Sequence, residues 1–265
     1  MAQLHVLAGR DDATPIEPAI RTIGFADLRD ALAKGFDDFW AMPSHVIFIG
    51  LIYAVVGLML GRIALGYDVI PLLFPLAAGF ALVGPFASLG LYEMSRRRER
   101  GLDVSWQHAF DVLHSPSRDA IVALGLVLMA IFIVWLIVAQ SLYASLFDVT
   151  RPVSPTQFLH EVIDTPAGHT LIVVGNGVGF LFAVLVLTIS VVSFPMLLDR
   201  EVGVVRAMRT SVRAVVANPV TMAAWGLIVA VALAIGSLPL FFGLAIVLPV
   251  LAHATWHLYR KVVAD

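Results

Sequence analysis

The sequence predicts an all-α integral membrane protein: six transmembrane helices in three hairpins, each hairpin preceded by an amphipathic surface helix. Three observations predict this. The 265 residues are 60% hydrophobic and only 14% charged, with a mean hydropathy of +0.92. A soluble domain carries about 25% charged residues, so too little polar material is present for a water-facing shell. Several apolar stretches are long enough to cross a bilayer, and the lysines and arginines are segregated to one side of them.

A spanning helix needs about 20 apolar residues to cross a ~30 Å hydrocarbon core. Spans are expected at about 45–66, 69–92, 118–144, 168–195, 219–236 and 238–258. The last two are separated only by Gly236-Ser237-Leu238-Pro239. A single helix over 219–258 would be about 60 Å long at 1.5 Å per residue, twice the core, so two spans are expected. Residues 1–22, with Pro15 and Pro18, read as a mobile polar tail. They lack the basic region and apolar core of a signal peptide. Residues 23–261 are then expected to form one six-helix transmembrane domain.

Charge placement orients the spans. Arg10, Arg21, Arg29, Lys34, Arg96, Arg97, Arg98, Arg100, Arg118, Arg200, Arg206, Arg209, Arg213, Arg260 and Lys261 fall on one side. Only Arg62 and Arg151 fall on the other. The positive-inside rule predicts a multi-pass protein of the bacterial inner membrane with both termini in the cytoplasm. Arg96, Arg97, Arg98 and Arg100 read as a cytoplasmic anchor for the second span, and Arg206, Arg209 and Arg213 as the cationic face of a surface helix.

An internal repeat underlies the hairpins. Amphipathic segments end in prolines at 25–43, 104–116 and 202–219. Three residues before Pro43, Pro116 and Pro219 stand Trp40, Leu113 and Val216; four before stand Phe39, Val112 and Val215; seven before stand Phe36, Ala109 and Val212. This spacing keeps residues on one helical face, and the proline then ends the surface helix and turns the chain into the membrane. In the third segment Val205, Met208, Val212 and Val215 are expected to form the apolar face. The acidic pair Asp37-Asp38 of the first is a candidate partner for the arginines at 96–100.

The stretch 79–110 contains Gly84-Pro85-Phe86, Gly90-Leu91-Tyr92-Glu93, the arginine run and Ser105-Trp106. With these motifs the chain resembles a bacterial family of predicted integral membrane proteins, domain of unknown function 2189, over residues 20 to about 260. Some members carry a cytochrome c oxidase label. A haem–copper catalytic subunit needs several histidines at membrane depth, and none of the eight histidines lies near the middle of an expected span. The resemblance therefore leaves an accessory or assembly role at a respiratory complex.

Candidate sites are few. His253 and His257 are four apart and project from one helical face; they are the candidates for a haem or metal ligand pair, set against a reading as interfacial residues beside Trp256 and Tyr259. No cofactor is otherwise expected. The absence of cysteine excludes thiolate metal sites and covalent haem attachment by the chain. Gly175, Asn176, Gly177 and Gly179 in the fourth span read as a close helix contact, with a loosened helix lining a solute path as the alternative; Gly57 and Gly61 receive the same packing reading. His108, Asp111 and His114 read as a solvated face. In the outer segment 145–167, Ser154-Pro155 reads as a helix start. No catalytic motif is found, the cationic patches lie at the membrane surface rather than suiting nucleic acid, and intramembrane charge is essentially absent. The expected function is that of a non-catalytic protein binding lipid and other membrane components. A small channel or transporter for a neutral or amphiphilic solute is the alternative, and a haem- or metal-binding membrane protein the third.

Overall fold

The computed structural model describes residues 18–42, 75–76, 84–148, 154–239 and 242–264. The expected first span at 45–66, most of the second, Pro43, Gly57, Gly61, Arg62, Arg151 and residues 1–17 of the expected tail lie outside the described residues. The elements are α1 (Phe25–Ala41), α2 (Leu89–Glu99), a 3-10 helix (Trp106–His114), α3 (Arg118–Leu146), α4 (Pro155–Asp164), α5 (Pro166–Ser190), α6 (Ser193–Asp199), α7 (Val204–Ala217), α8 (Pro219–Ser237) and α9 (Leu244–Val262). Among the described residues there is no strand beyond one isolated bridge between Ile20 and Val263.

Three helical runs are long and apolar enough to cross a membrane: Arg118–Leu146, Pro166–Asp199 and Pro219–Ser237. The second comprises α5 and α6, interrupted by a turn at Val191-Val192. Pro195 explains the break: it has no N–H to offer the carbonyl four residues back, and its ring crowds that carbonyl. The helix start foreseen at Ser154-Pro155 is present, with the Ser154 hydroxyl accepting from the Gln157 amide at 3.2 Å.

The chain divides into two compact units. The first contains residues 1–54, 85–126 and 187–265; the second contains 55–84 and 127–186. In the second unit α3 and α5 pack through small residues. A Cβ at Gly179 would lie 3.1 Å from the Trp135 ring, and one at Gly175 3.7 Å from Leu142. Trp135 in turn packs on Phe182 at 5.4 Å between ring centroids.

In the first unit α1, the 3-10 helix and α7 each pack on another helix, and the pairing is cyclic. The 3-10 helix packs on α2, α7 on α6, and α1 on α9, while α2, α6 and α9 pack on one another. Two of these surface helices follow in sequence the helix they cover, whereas the N-terminal one covers the last. The closure is tied by backbone bonds from Arg21 N to Val262 O at 2.8 Å and from Ala264 N to Ala19 O at 3.0 Å. Asn218, buried between α7 and α8, adds a staple. Its Oδ1 accepts from Ile23 N at 2.8 Å, and its Nδ2 donates to Arg21 O and Ala214 O, each at 3.1 Å. Residues 19–22 are therefore bonded backbone, unlike the mobile tail expected there.

The close contacts again fall on small side chains. A Cβ at Gly35 would stand 2.7 Å from Ala254 Cβ, and one at Gly90 2.9 Å from Ala109 Cβ. On α7 the buried residues are Val204, Ala207, Thr210, Ser211 and Ala214. The Ser211 hydroxyl donates to Thr188 O at 2.8 Å. The face expected to be apolar is thus divided: Val205 and Val212 are exposed, while Met208 and Val215 are half-buried. The small-residue side packs because it lets two backbones approach.

After α2 the chain reverses at Gly101, whose φ of 65° is left-handed. Gly101 N donates to Arg98 O at 3.0 Å and Leu102 N to Arg97 O at 2.9 Å, which together make a Schellman cap. Any side chain at this φ is strained. Gly101→Ala is expected to cost about 1 kcal/mol, read as a lowered midpoint of thermal unfolding in detergent.

Candidate functional site

The strongest concentration of buried polar groups lies where α1, α2 and α9 meet, in the first unit. It begins with helix register. Leu28, Ala31, Gly35, Asp38 and Phe39 are the buried residues of α1, spaced by threes and fours so that they share one face. Asp38 therefore enters the packed interface with its apolar neighbours, and Gly35 one turn earlier lets α9 come close enough to meet it.

Asp38 meets three side chains from two elements, α2 and α9. Ser95 Oγ donates to Oδ2 at 2.5 Å, His257 Nε2 lies 2.9 Å from the same oxygen, and Arg98 Nη1 donates to Oδ1. His253 Nδ1 lies 2.7 Å from Ser95 Oγ and 3.9 Å from Asp38 Oδ2. Burial pushes the Asp38 carboxyl up, but the hydrogen bonds from His257 and Ser95 and the charges of the two imidazoles outweigh it and hold the group at about 2. An ionised carboxylate only accepts, so the single Ser95 proton goes to Asp38. Ser95 Oγ then accepts from His253 Nδ1–H. Ser95 thus bridges carboxylate and imidazole, which differs from a nucleophilic triad, where the imidazole would stand between serine and carboxylate.

His253 is fully buried and its Nε2 has no hydrogen-bond partner. The two imidazoles do share a face, as their spacing predicts, but Asp38 Oδ2 occupies the position that a shared ion would take. Ligation of a haem iron by His253 Nε2 requires open space beyond that atom, and the side chain is enclosed; the residues present do not fit that group. Among the described residues no group of three or more His, Cys, Asp or Glu is arranged to hold a metal ion. The interfacial reading of this helix end is also corrected. Trp256 and Tyr259 are fully buried. Trp256 Nε1 donates to Glu99 Oε2 at 3.0 Å and Tyr259 OH to Asp199 Oδ2 at 2.9 Å. Aromatic side chains with a polar tip go inside when a partner for the tip is available there, and sequence shows no partner that lies 60 or 157 residues away.

The arginine run serves the same assembly. Arg96 holds the buried Glu93 through two bonds at 2.8 and 2.9 Å and donates to Leu198 O at 3.1 Å. Arg97 donates to Asp103 O at 2.8 Å and to Asp111 at 3.2 Å, so that Asp111 is paired; His108 Nδ1 accepts from Ser105 N at 3.0 Å. Arg98 takes Asp38, as the acidic pair in sequence suggested, and Arg100 takes Asp199 at 2.9 Å. The four arginines expected to anchor the second span on the cytoplasmic side thus each hold a protein group.

A second clamp joins α1 to α9: Lys261 Nζ stands 3.2 Å from Asp27 and 2.9 Å from Asp30. Hydrogen bonds to Asp30 and then Asp27 raise the Lys261 ammonium above its ordinary value. Where α2, α6 and α9 end, Glu99, Arg100, Asp199, Arg200 and Arg260 line an open cleft of about 520 Å³. Its charges engage one another, with Arg260 bonded to Glu99 at 3.1 Å and to Asp199 at 3.4 Å.

The glycine cluster of α5 is a packing site on one side only. Gly175 and Gly179 face α3, whereas a Cβ at Gly177 would meet nothing within 4 Å. Asn176 is exposed and donates to Ile172 O of its own helix at 2.7 Å. The helix is continuous through these residues.

Apolar helices of spanning length define an integral membrane protein. The model of the family described as predicted integral membrane protein, domain of unknown function 2189, matches residues 73–199 of the chain. That match contains the arginine run, the 3-10 helix and the run from Pro166 to Asp199. No curated protein matches the chain, and no solved structure does.

Proposed function

We propose that this chain is a non-catalytic protein of the bacterial inner membrane, with both termini in the cytoplasm, that binds other membrane components. The observation that carries the reading is the state of Asp38, Ser95, His253, His257 and Arg98. Each is spent on another member of the cluster, and Asp38, Ser95 and His253 are at most 3% exposed. A reacting centre needs a group that substrate can reach. These groups fasten helices together and leave the apolar outer faces as the surface available for binding. An accessory or assembly role at a respiratory complex is the concrete form of the proposal.

Purification from native membranes in mild detergent tests it, with co-purifying proteins quantified against this chain. A membrane protein partner recovered at near one-to-one after a salt wash is the expected result, and respiratory subunits would establish the specific role. Recovery of the chain alone would overturn the binding role.

A further inference from the structure

The residues three before each turning proline share an environment. Trp40 is 70% exposed, Leu113 59% and Val216 71%. Around them Phe36, Trp106, Phe110, Val205 and Val212 are exposed as well. These side chains are too large and apolar to face water as a matched set, and they point away from the small-residue faces that pack on α2, α6 and α9.

Two further observations say what covers them. The exposed apolar surface continues from the surface helices onto the spans that follow. Val216 is succeeded by Val220 and Leu227 on α8, and Leu113 by Val122 and Leu126 on α3, all exposed. α8 and α3 are long and apolar enough to cross a membrane, so the same bilayer that covers their faces reaches the helices before them. Second, Arg209 is exposed and lies within about 60° of Val205, Val212 and Val216 on α7 at 100° per residue. A long cationic side chain in an apolar row suits the headgroup boundary, where the stem lies in hydrocarbon and the guanidinium reaches the phosphates.

We propose that the three pre-span helices lie in the plane of the membrane at one depth, with Trp40, Leu113 and Val216 turned into the acyl-chain boundary of the leaflet on the arginine-rich side. Of the acidic residues of α1, Asp27, Asp30 and Asp38 are engaged by α9 and α2, and Asp37 stays exposed to reach the aqueous side of the boundary. The inference rests on the chain spanning a membrane and is independent of any protein partner.

The chain has no cysteine, so single labels can be placed cleanly. W40C, L113C and V216C, each carrying a nitroxide, are reconstituted in vesicles of phosphatidylcholine and phosphatidylglycerol. Collision with oxygen and with a water-soluble nickel chelate is then measured. Oxygen collision is expected to exceed nickel collision several-fold at all three positions, with similar depths. H114C, exposed on the Asp111 side of the 3-10 helix and a third of a turn from the row of Phe110 and Leu113, is the water-facing control and reverses the ratio. Nickel dominance at any of the three overturns the proposal. So does a label shielded from both reagents, which would mean protein covers that face. Lipid signatures at all three sustain it even where the chain purifies without a partner.

Discussion

Asp38→Asn is expected to lower stability by about 1–3 kcal/mol, the usual cost of leaving a buried hydrogen-bonding group without its partner, since the Arg98 end of the ion pair is 41% exposed. The amide leaves Arg98 without its counter-charge and turns donor hydrogens toward Ser95 and His257, which already donate to this position. The loss appears as a large drop in the midpoint of thermal unfolding in detergent and as new proteolysis near the end of α1. Ser95→Ala removes the bridge to His253 while leaving Arg98 and His257 on the carboxylate, so its effect should be smaller. Equal effects would show that the bridge, and not the charge, holds the helices.

The same group sets an acid limit. Its folded value of about 2 lies below the ordinary 3.8. Its contribution is therefore fully present above pH 3.8 and is lost as pH falls from there through about 2. Asp38→Asn should flatten this part of the acid-unfolding profile.

Gly35→Val should release α1 from α9. The new Cβ would lie 2.7 Å from Ala254 Cβ and from its backbone nitrogen, and 2.8 Å from Val250 O. Two of these three atoms are backbone, so rotation of a side chain cannot relieve the clash, and the helices must separate. Overpacking of this kind costs about 1–3 kcal/mol, and here separation also lengthens the bonds of Asp38 and Lys261. Gly177→Ala is the matched control. Nothing lies within 4 Å of its Cβ, and Ala favours a helix over Gly by about 1 kcal/mol. The expected outcome is a clear drop in unfolding midpoint for the first variant and none for the second.

The legible part of the site was its ingredients. Asp38 beside Asp37, the arginine run, and His253 with His257 on one face were all visible in sequence. What joined them was not. His257 and Asp38 are 219 residues apart and Ser95 and His253 158, and nothing local to either end of such a pair records the other. Ser95 carried no signal of its own, since a serine within an arginine-rich helix end reads as one more polar residue at the membrane surface. The histidine spacing indicated a common face, but a carboxylate and a metal ion make the same demand on that spacing.

Hydropathy, the segregated arginines and the prolines were sufficient on their own to place this chain in a membrane and to separate surface helices from spans. These depend on the transfer of each stretch from water to hydrocarbon and on the backbone chemistry of proline, which are properties of consecutive residues. The tertiary structure decided which face of each surface helix packs, and that the first of them closes on the last apolar helix. It also decided that the arginine run grips carboxylates and two carbonyls. In a helix flanked by both protein and lipid, an apolar face has two favourable destinations. Close approach of backbones selects the side with Gly35, Ala109 or Ser211 for protein and leaves the bulky row for lipid.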